Sequence, residues 1–336
     1  MRVDVYLTAV GYEDALLREL QRGRFVRPGV VADDPGTPDI EATDHAFARQ
    51  ILPQATAIQA ESITKLADAA AFAIVPILDK SEEPWRLDVI APDADDDAPI
   101  LDRRAELIEQ RLLEALGTRR KRVLKRKTDD APWVVQVLLA DREQAFVSAA
   151  PPVMLTSGVP WPSPYPAGRV PVADDWDAPS SAFRKLIEAQ AWLGLQMGTG
   201  DKCVDLGAAP GGWTHVALAA GAQVIAVDKA AMDPRLAKNR RLSHVQKDGF
   251  SYMPDAPVDW LLSDIIATPD KGMELIDRWT RAQLCKRFVV HLKFKGTEQY
   301  GMVAEALARI RENGYASARG KKLFYDKNEV CLFGWI

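Results

Sequence analysis

A short apolar run, a glycine-rich loop and a helix follow one another from Cys203, and this succession constrains the fold more than any other feature of the chain. Cys203-Val204-Asp205-Leu206 reads as a strand and Gly207-Ala208-Ala209-Pro210-Gly211-Gly212-Trp213 as the loop. A second strand, Val224-Ile225-Ala226-Val227, ends at Asp228. A helix over about 181–197, with Phe183, Leu186, Ile187 and Leu193 on one face, precedes this unit. Strands at His244-Val245-Gln246, Asp259-Trp260-Leu261-Leu262 and Phe288-Val289-Val290-His291-Leu292 follow it, with a helix over about 271–285 between the last two. Such alternation predicts an α/β fold with a doubly wound, mostly parallel sheet. Two final strands, about 315–324 and 329–335, are joined across Asp326-Lys327-Asn328 and predict an antiparallel pair.

In such a sheet, ligands bind outside the carboxyl ends of the strands, where this loop lies. Glycine lets backbone approach a ligand closely and take positive φ. No Gly-Lys-Ser/Thr follows, so the loop is not a Walker A phosphate cradle, and Pro210 and the spacing rule out the dinucleotide pattern. Two readings are left: a loop for S-adenosylmethionine (SAM), which needs no dedicated phosphate cradle, and a structural turn. The strand–loop–helix context favours the first. Asp228, about 20 residues past the loop, is placed to accept hydrogen bonds from ribose hydroxyls. Asp248 reads either as a partner for an adenine amino group or as a solvated turn acid.

The 336 residues suffice for two or three domains. Residues 1–80 open with the strand-like Val3-Asp4-Val5-Tyr6-Leu7 and a helix bearing Ala15, Leu16 and Leu20. Residues 81–150 form a second α+β stretch: a strand around Trp85–Ile90, a helix from Asp102 to Leu116, and strands at 133–139 and 144–148. Eight prolines between 151 and 179 predict an extended linker, and residues 180–336 carry the alternating pattern.

No apolar run approaches the roughly 20 residues of a membrane helix. The opening Met1-Arg2-Val3-Asp4-Val5 does not read as a signal peptide. Cys203, Cys285 and Cys331, odd in number and widely spaced, read as reduced core residues of a cytoplasmic protein, and the four scattered histidines suggest no metal site. A net charge of −4 taken alone argues against a nucleic-acid partner, since phosphate neutralisation needs Lys and Arg. The charge is unevenly spread, however. Acids crowd at Asp93-Ala94-Asp95-Asp96-Asp97, and bases at Arg119-Arg120-Lys121-Arg122 and Lys125-Arg126-Lys127. The basic cluster reads as an RNA contact or as a solvated helix end.

Asp205 to Trp213 resembles the SAM signature of FtsJ-type ribose 2′-O-methyltransferases, and a Lys-Asp-Lys-Glu set stands in that family's order. Lys185 lies on the helix before the first strand, Asp264 ends the fourth strand, Lys293 ends the fifth in His291-Leu292-Lys293, and Glu329 begins the last. The resemblance implies that these four are catalytic. It also implies that Ser180, Gly207, Ala209, Pro210, Gly211, Gly212, Trp213, Asp228, Asp248 and Asp264 hold SAM. A closer resemblance, to the bacterial 23S rRNA (cytidine-2′-O)-methyltransferase M branch, rests on Asp177-Ala178-Pro179-Ser180, Pro210-Gly211-Gly212-Trp213-Thr214, Asp248-Gly249-Phe250 and Asp264. In the N-terminal half it rests on Phe47-Ala48-Arg49-Gln50. It implies a ferredoxin-like unit over 1–80 and a THUMP RNA-binding module over 81–150, with the basic cluster on RNA. It further implies a cytoplasmic monomer, with no membrane partner, acting on naked 23S rRNA or an early precursor of the large subunit. The chain departs from the branch in its shorter N-terminal half and in Ala209, where some relatives carry cysteine.

The implied reaction is attack of a 2′-hydroxyl oxygen on the SAM methyl, so the protein must position the reactants and remove a proton. Near-attack geometry supplies on the order of 7–11 kcal/mol, and a general base about 10²–10⁴-fold. Lys293 is the expected base. A lysine acts as a base only when neutral, and a neighbouring cation such as Lys185 disfavours its charged form. Asp264 and Glu329 are expected to orient the two amines, with Lys295 a nearby spare. Alternative functions are 2′-O-methylation of another RNA, a non-catalytic RNA-binding relative, and methylation of a small molecule or protein.

Overall fold

The computed structural model describes residues 2–33, 45–92, 98–125, 131–155 and 160–336. The acidic stretch Asp93–Asp97 and the bases Arg126 and Lys127 lie outside the described residues. The chain divides into two compact units, Met1–Arg169 and Val170–Ile336. Among the described residues no helix is long and apolar enough to cross a membrane.

The first unit contains β1 (Arg2–Leu7), α1 (Glu13–Leu20), β2 (Arg24–Arg27), β3 (Val30–Asp33), β4 (Gln50–Gln59), α2 (Ile63–Leu78), β5 (Trp85–Ile90), α3 (Ala98–Ala115), β6 (Trp133–Leu139), β7 (Gln144–Ala150) and the short β8 (Val153–Met154) and β9 (Pro160–Trp161). Seven of these strands form one sheet in the order β2-β3-β1-β4-β7-β6-β5. The apolar positions of α2 recur at helical spacing, Leu66, Ala67, Ala70, Ala71, Ile74 and Leu78. They pack with Leu101, Ala105, Ile108 and Leu112 of α3 over Leu87, Val135, Val137 and Val147 of the sheet.

Two features of this unit differ from the reading of the sequence. The boundary expected at residue 80 falls inside it, because β4 and β7 pair from Thr56↔Val147 to Gln59↔Gln144. Separating the halves there would expose two long strand edges. The proline-rich stretch also does not begin as a free linker at 151. The Arg86 and Asp88 side chains form a buried ion pair at 3.0 Å. Arg86 donates onward to the carbonyls of Ser163 and Pro164, and Gln50 accepts from Ser163 N at 2.7 Å. Proline there removes backbone donors, while the carbonyls of Ser163, Pro164 and Tyr165 are satisfied by the distant side chains of Arg86 and Gln50.

The second unit contains α4 (Phe183–Leu193), β10 (Lys202–Leu206), α5 (Gly212–Ala219), β11 (Gln223–Val227), α6 (Pro234–Ala237), β12 (Leu242–Val245), β13 (Val258–Ser263), α7 (Pro269–Arg281), β14 (Cys285–Lys293), α8 (Met302–Glu312), β15 (Arg319–Lys321) and β16 (Glu329–Trp335). Its sheet runs β12-β11-β10-β13-β14-β16-β15. The first five strands are parallel, and β16 is antiparallel to both β14 and β15. This is the expected doubly wound, Rossmann-like arrangement with an antiparallel edge. The central strands are buried along nearly their whole length, as parallel strands covered on both faces must be. All three cysteines are buried and free. The strand expected over 315–324 shortens to β15, and α4 stops at Leu193 because Gly194 takes a left-handed cap at φ 71°.

Candidate active site

The strand order reverses between β10 and β13, and a cleft of about 560 Å³ opens there beyond the strand carboxyl ends. The glycine loop forms one wall. Gly207 has φ +76°, and a Cβ on it would come within 2.5 Å of Ile265 Cγ1. Only glycine lets the two loops approach this closely. Asp228 clamps the loop, accepting from Ala209 N at 3.0 Å and from Ala230 N at 2.8 Å. Asp248 caps Phe250 N at 3.0 Å and pairs with Lys229 at 2.7 Å, a pairing that holds its carboxyl below the usual range.

Of the residues expected to hold a cofactor, Ser180, Gly207, Ala209, Pro210, Gly212, Trp213, Asp228, Asp248 and Asp264 line this cleft. Gly211 is not among them. It has φ +121°, and a Cβ would meet Leu236 Cδ1 of α6 at 2.4 Å, so it serves packing behind the loop. Trp213 is almost wholly buried, its indole donating to Ala182 O at 2.9 Å. Asp205 and Phe250, which stood in the quoted motifs without a cofactor role, also line the cleft, and sequence reading missed Lys229, Lys247, Ile265, Ile266 and Lys271. For Lys229, Lys247, Ile265 and Ile266 the available signal was that each follows a strand end by two or three residues; Lys271, in α7, had none.

Lys185, Asp264, Lys293 and Glu329 converge at one end of the cleft wall. Lys293 lies directly opposite Glu329 in the β14–β16 register, and Asp264 follows the end of β13. Lys293 Nζ is 2.7 Å from Asp264 Oδ1 and 3.1 Å from Glu329 Oε2. Lys185 Nζ donates to Asp264 Oδ2 at 3.3 Å and pairs closely with Glu329 Oε1. Two cations and two anions therefore alternate around a closed ring. The side chains are 12% (Lys185), 17% (Asp264), 19% (Lys293) and 5% (Glu329) exposed, open enough to meet a ligand and shielded enough for their charges to interact strongly. Burial disfavours the Lys185 ammonium, but Asp264 and Glu329 outweigh it and hold the amine protonated above its ordinary range. Burial would likewise raise both carboxyls. For Asp264, His291 and the two lysines prevail and hold it well below the ordinary range. For Glu329 the same three cations prevail. Lys295, by contrast, is exposed, its backbone N–H donating to Gln299 at 3.0 Å.

In the first unit, the basic cluster divides. Arg119 is held by two hydrogen bonds to Asp79, at 2.6 and 2.7 Å, and Arg122 donates to the carbonyls of Ser81 and Leu78. Arg120, Lys121 and Lys125 are exposed.

Residues 179–313 match the FtsJ-like methyltransferase family. The match lies wholly within the second unit. Over 203 residues the chain is 36% identical to ribosomal RNA large subunit methyltransferase M of Alkalilimnicola ehrlichii, covering 58% of this chain and 54% of that protein. Over 217 residues it is 35% identical to the protein of the same name from Azotobacter vinelandii, covering 60% and 59%. The chain thus spans little more than half the length of the curated relatives it matches. Among solved structures, the fibrillarin pre-rRNA processing protein of Methanococcus jannaschii is 16% identical, with a TM-score of 0.34 over 46% of this chain and 76% of that one.

Asp205, at the end of β10, accepts from Thr214 Oγ1 at 2.6 Å, but full burial pushes its carboxyl up to about 7. The folded state therefore holds a proton that the unfolded chain releases above its ordinary 3.8, so this contribution to stability is complete in acid and is lost as pH rises toward 7. Asp205→Asn keeps the acceptor and removes the ionisation. Its Tm relative to wild type is expected to climb between about pH 4 and about pH 7 in thermal melts and to level off above that, and a pH-independent difference would contradict this assignment.

Proposed function

We propose that the protein transfers a methyl group from SAM to the ribose 2′-hydroxyl of a cytidine in 23S rRNA. The observation that carries this reading is the closed Lys185–Asp264–Lys293–Glu329 ring beside the cleft. The relatives' shared name, ribosomal RNA large subunit methyltransferase M, supports the substrate class. The cleft fits the cofactor: its volume lies within the range of about 300–1,000 Å³ typical of small-molecule sites. The Gly207 cradle admits close backbone approach, and Asp228 and Asp248 stand ready for the ribose and adenine polar groups. SAM supplies the methyl on a sulfonium, which leaves as a neutral thioether.

The chain's own residues position the hydroxyl and take its proton. Lys185 stays a fixed cation between the two carboxylates. Lys293, from its neutral form, accepts the hydroxyl proton at Nζ as the oxygen attacks the methyl carbon. Asp264 and Glu329 orient both amines, and Asp264 also lines the cleft. The first unit is proposed as the THUMP-type RNA-binding part, with Arg120, Lys121 and Lys125 on phosphates. The protein is proposed to act as a cytoplasmic monomer on naked 23S rRNA or an early large-subunit precursor.

Lys293→Ala is expected to slow single-turnover methyl transfer by about 10²–10⁴-fold while leaving SAM affinity intact in calorimetry. A wild-type rate would refute the assignment of the base. Replacing Arg120, Lys121 and Lys125 by alanine is expected to weaken RNA binding and to flatten its log K against log salt slope by about 2, with SAM affinity unchanged. An unaltered slope would remove these residues from the RNA surface.

A further inference from the structure

We infer that His291 is a positioning residue for the proposed methyl-transfer site, a buried cation that joins Asp264 to Asp326 and completes the charge balance of the lysine–carboxylate ring. The inference rests on the proposed role of that ring.

His291 stands two residues before Lys293 on β14, so the two side chains project from the same face of the sheet. Its imidazole is fully buried. Nδ1 lies 3.3 Å from Asp264 Oδ1 and Nε2 lies 3.0 Å from Asp326 Oδ1, and the Asp326 side chain is itself fully buried. A neutral imidazole has one N–H and one lone pair. In this setting a bare nitrogen would lie within 3.3 Å of a carboxylate oxygen, whichever tautomer formed. A ring protonated on both nitrogens sets a positive charge between the two flanking carboxylates, and a neutral ring does not. Burial opposes that charge, but the Asp326 and Asp264 carboxylates outweigh it and hold the imidazole well above its usual range. Trp213 packs against the ring at 5.2 Å between centroids.

Six ionised groups then occupy one region. Lys185, Lys293 and His291 are the cations, and Asp264, Glu329 and Asp326 the anions. The other titratable groups facing this cluster are few. Cys331, opposite His291 in the register, is pushed up to about 11 by burial and is neutral. Glu188 of α4 is pushed up by burial to about 7, although it accepts from Phe324 N and Tyr325 N. Asp205 also has its carboxyl raised to about 7, and Lys322 Nζ donates to the Asp326 carbonyl at 2.8 Å. Removing the His291 charge leaves three anions facing two lysines, which tightens the carboxylates' hold on the lysine protons. Neutral Lys293 then becomes rarer at a given pH, and proton removal from the hydroxyl slows. Removing Asp326 as well restores the balance at two and two.

The test is the pH profile of single-turnover methyl transfer from saturating SAM to an unmodified 23S rRNA transcript. It is run for wild type, His291→Asn, the double variant His291→Asn/Asp326→Asn, and Lys293→Ala. His291→Asn is expected to move the rising limb up by on the order of one pH unit, slowing transfer about tenfold below the limb, with SAM affinity unchanged. The double variant is expected to bring the limb back toward wild type, which a merely structural role would not do. A limb unmoved by His291→Asn, or unrestored in the double variant, overturns the inference while an inactive Lys293→Ala leaves the ring's role standing. A wild-type rate in Lys293→Ala strikes the ring's role instead. Nitrogen NMR of the unmodified protein decides the case should His291→Asn fail to fold. Two protonated ring nitrogens on His291 at neutral pH are expected, and one bare nitrogen would refute the inference.

Discussion

The antiparallel register between β14 and β16 sets Lys293 directly across from Glu329, and the rest of the site depends on that pairing. A strand alternates its faces, so a slip of one residue would turn Lys293 and Glu329 to opposite sides and break the ring. The register is held from Arg287↔Trp335 to the Lys293↔Glu329 end, through buried residues such as Phe288, Val289, Leu332 and Phe333. Asp264 needs only to follow the end of β13, the parallel neighbour of β14, to meet both lysines. Apolar packing in the sheet is thus what fixes charged atoms at its rim to within hydrogen-bonding distance.

The charges repay close attention to sign. Taking ionised groups out of water is unfavourable unless each has opposite charges nearby. In this cluster Asp264 touches three cations, Glu329 two, and Asp326 one cation and a backbone donor, and Lys185 and Lys293 each touch both Asp264 and Glu329. Removing one member leaves its partners uncompensated, so effects of single substitutions here will not add. The same coupling lets a change at the buried Asp326 reach the rim of the cleft through His291.

Much of this was legible in the sequence, and the limits follow physical lines. Local pattern locates the glycine loop and the alternation of strands and helices, and the resemblance to a family's Lys-Asp-Lys-Glu set singled out the four ring residues near element ends. Gly211 shows where that fails: it belongs to the loop motif, yet its neighbour is Leu236 of a later helix. His291 and Asp326 are 35 residues apart, and nothing in periodicity brings an imidazole to a turn carboxylate; register does. The first unit was harder to read. Its sheet pairs β4 with β7 between residues as far apart as Thr56 and Val147, and long-range pairing leaves no local signature. The proline-rich stretch carries the composition of a linker, while Arg86 and Gln50 bind its first part to the unit. In the basic cluster, sequence shows charge without showing that Arg119 and Arg122 are already engaged by Asp79, Ser81 and Leu78.

The proposed chemistry is tested most directly by finding where the transferred methyl ends up. Unmodified 23S rRNA is incubated with the protein and methyl-labelled SAM, digested to nucleosides, and separated by mass. The account predicts label in 2′-O-methylcytidine alone. Label on a nucleobase, or on the protein in place of the RNA, would contradict it.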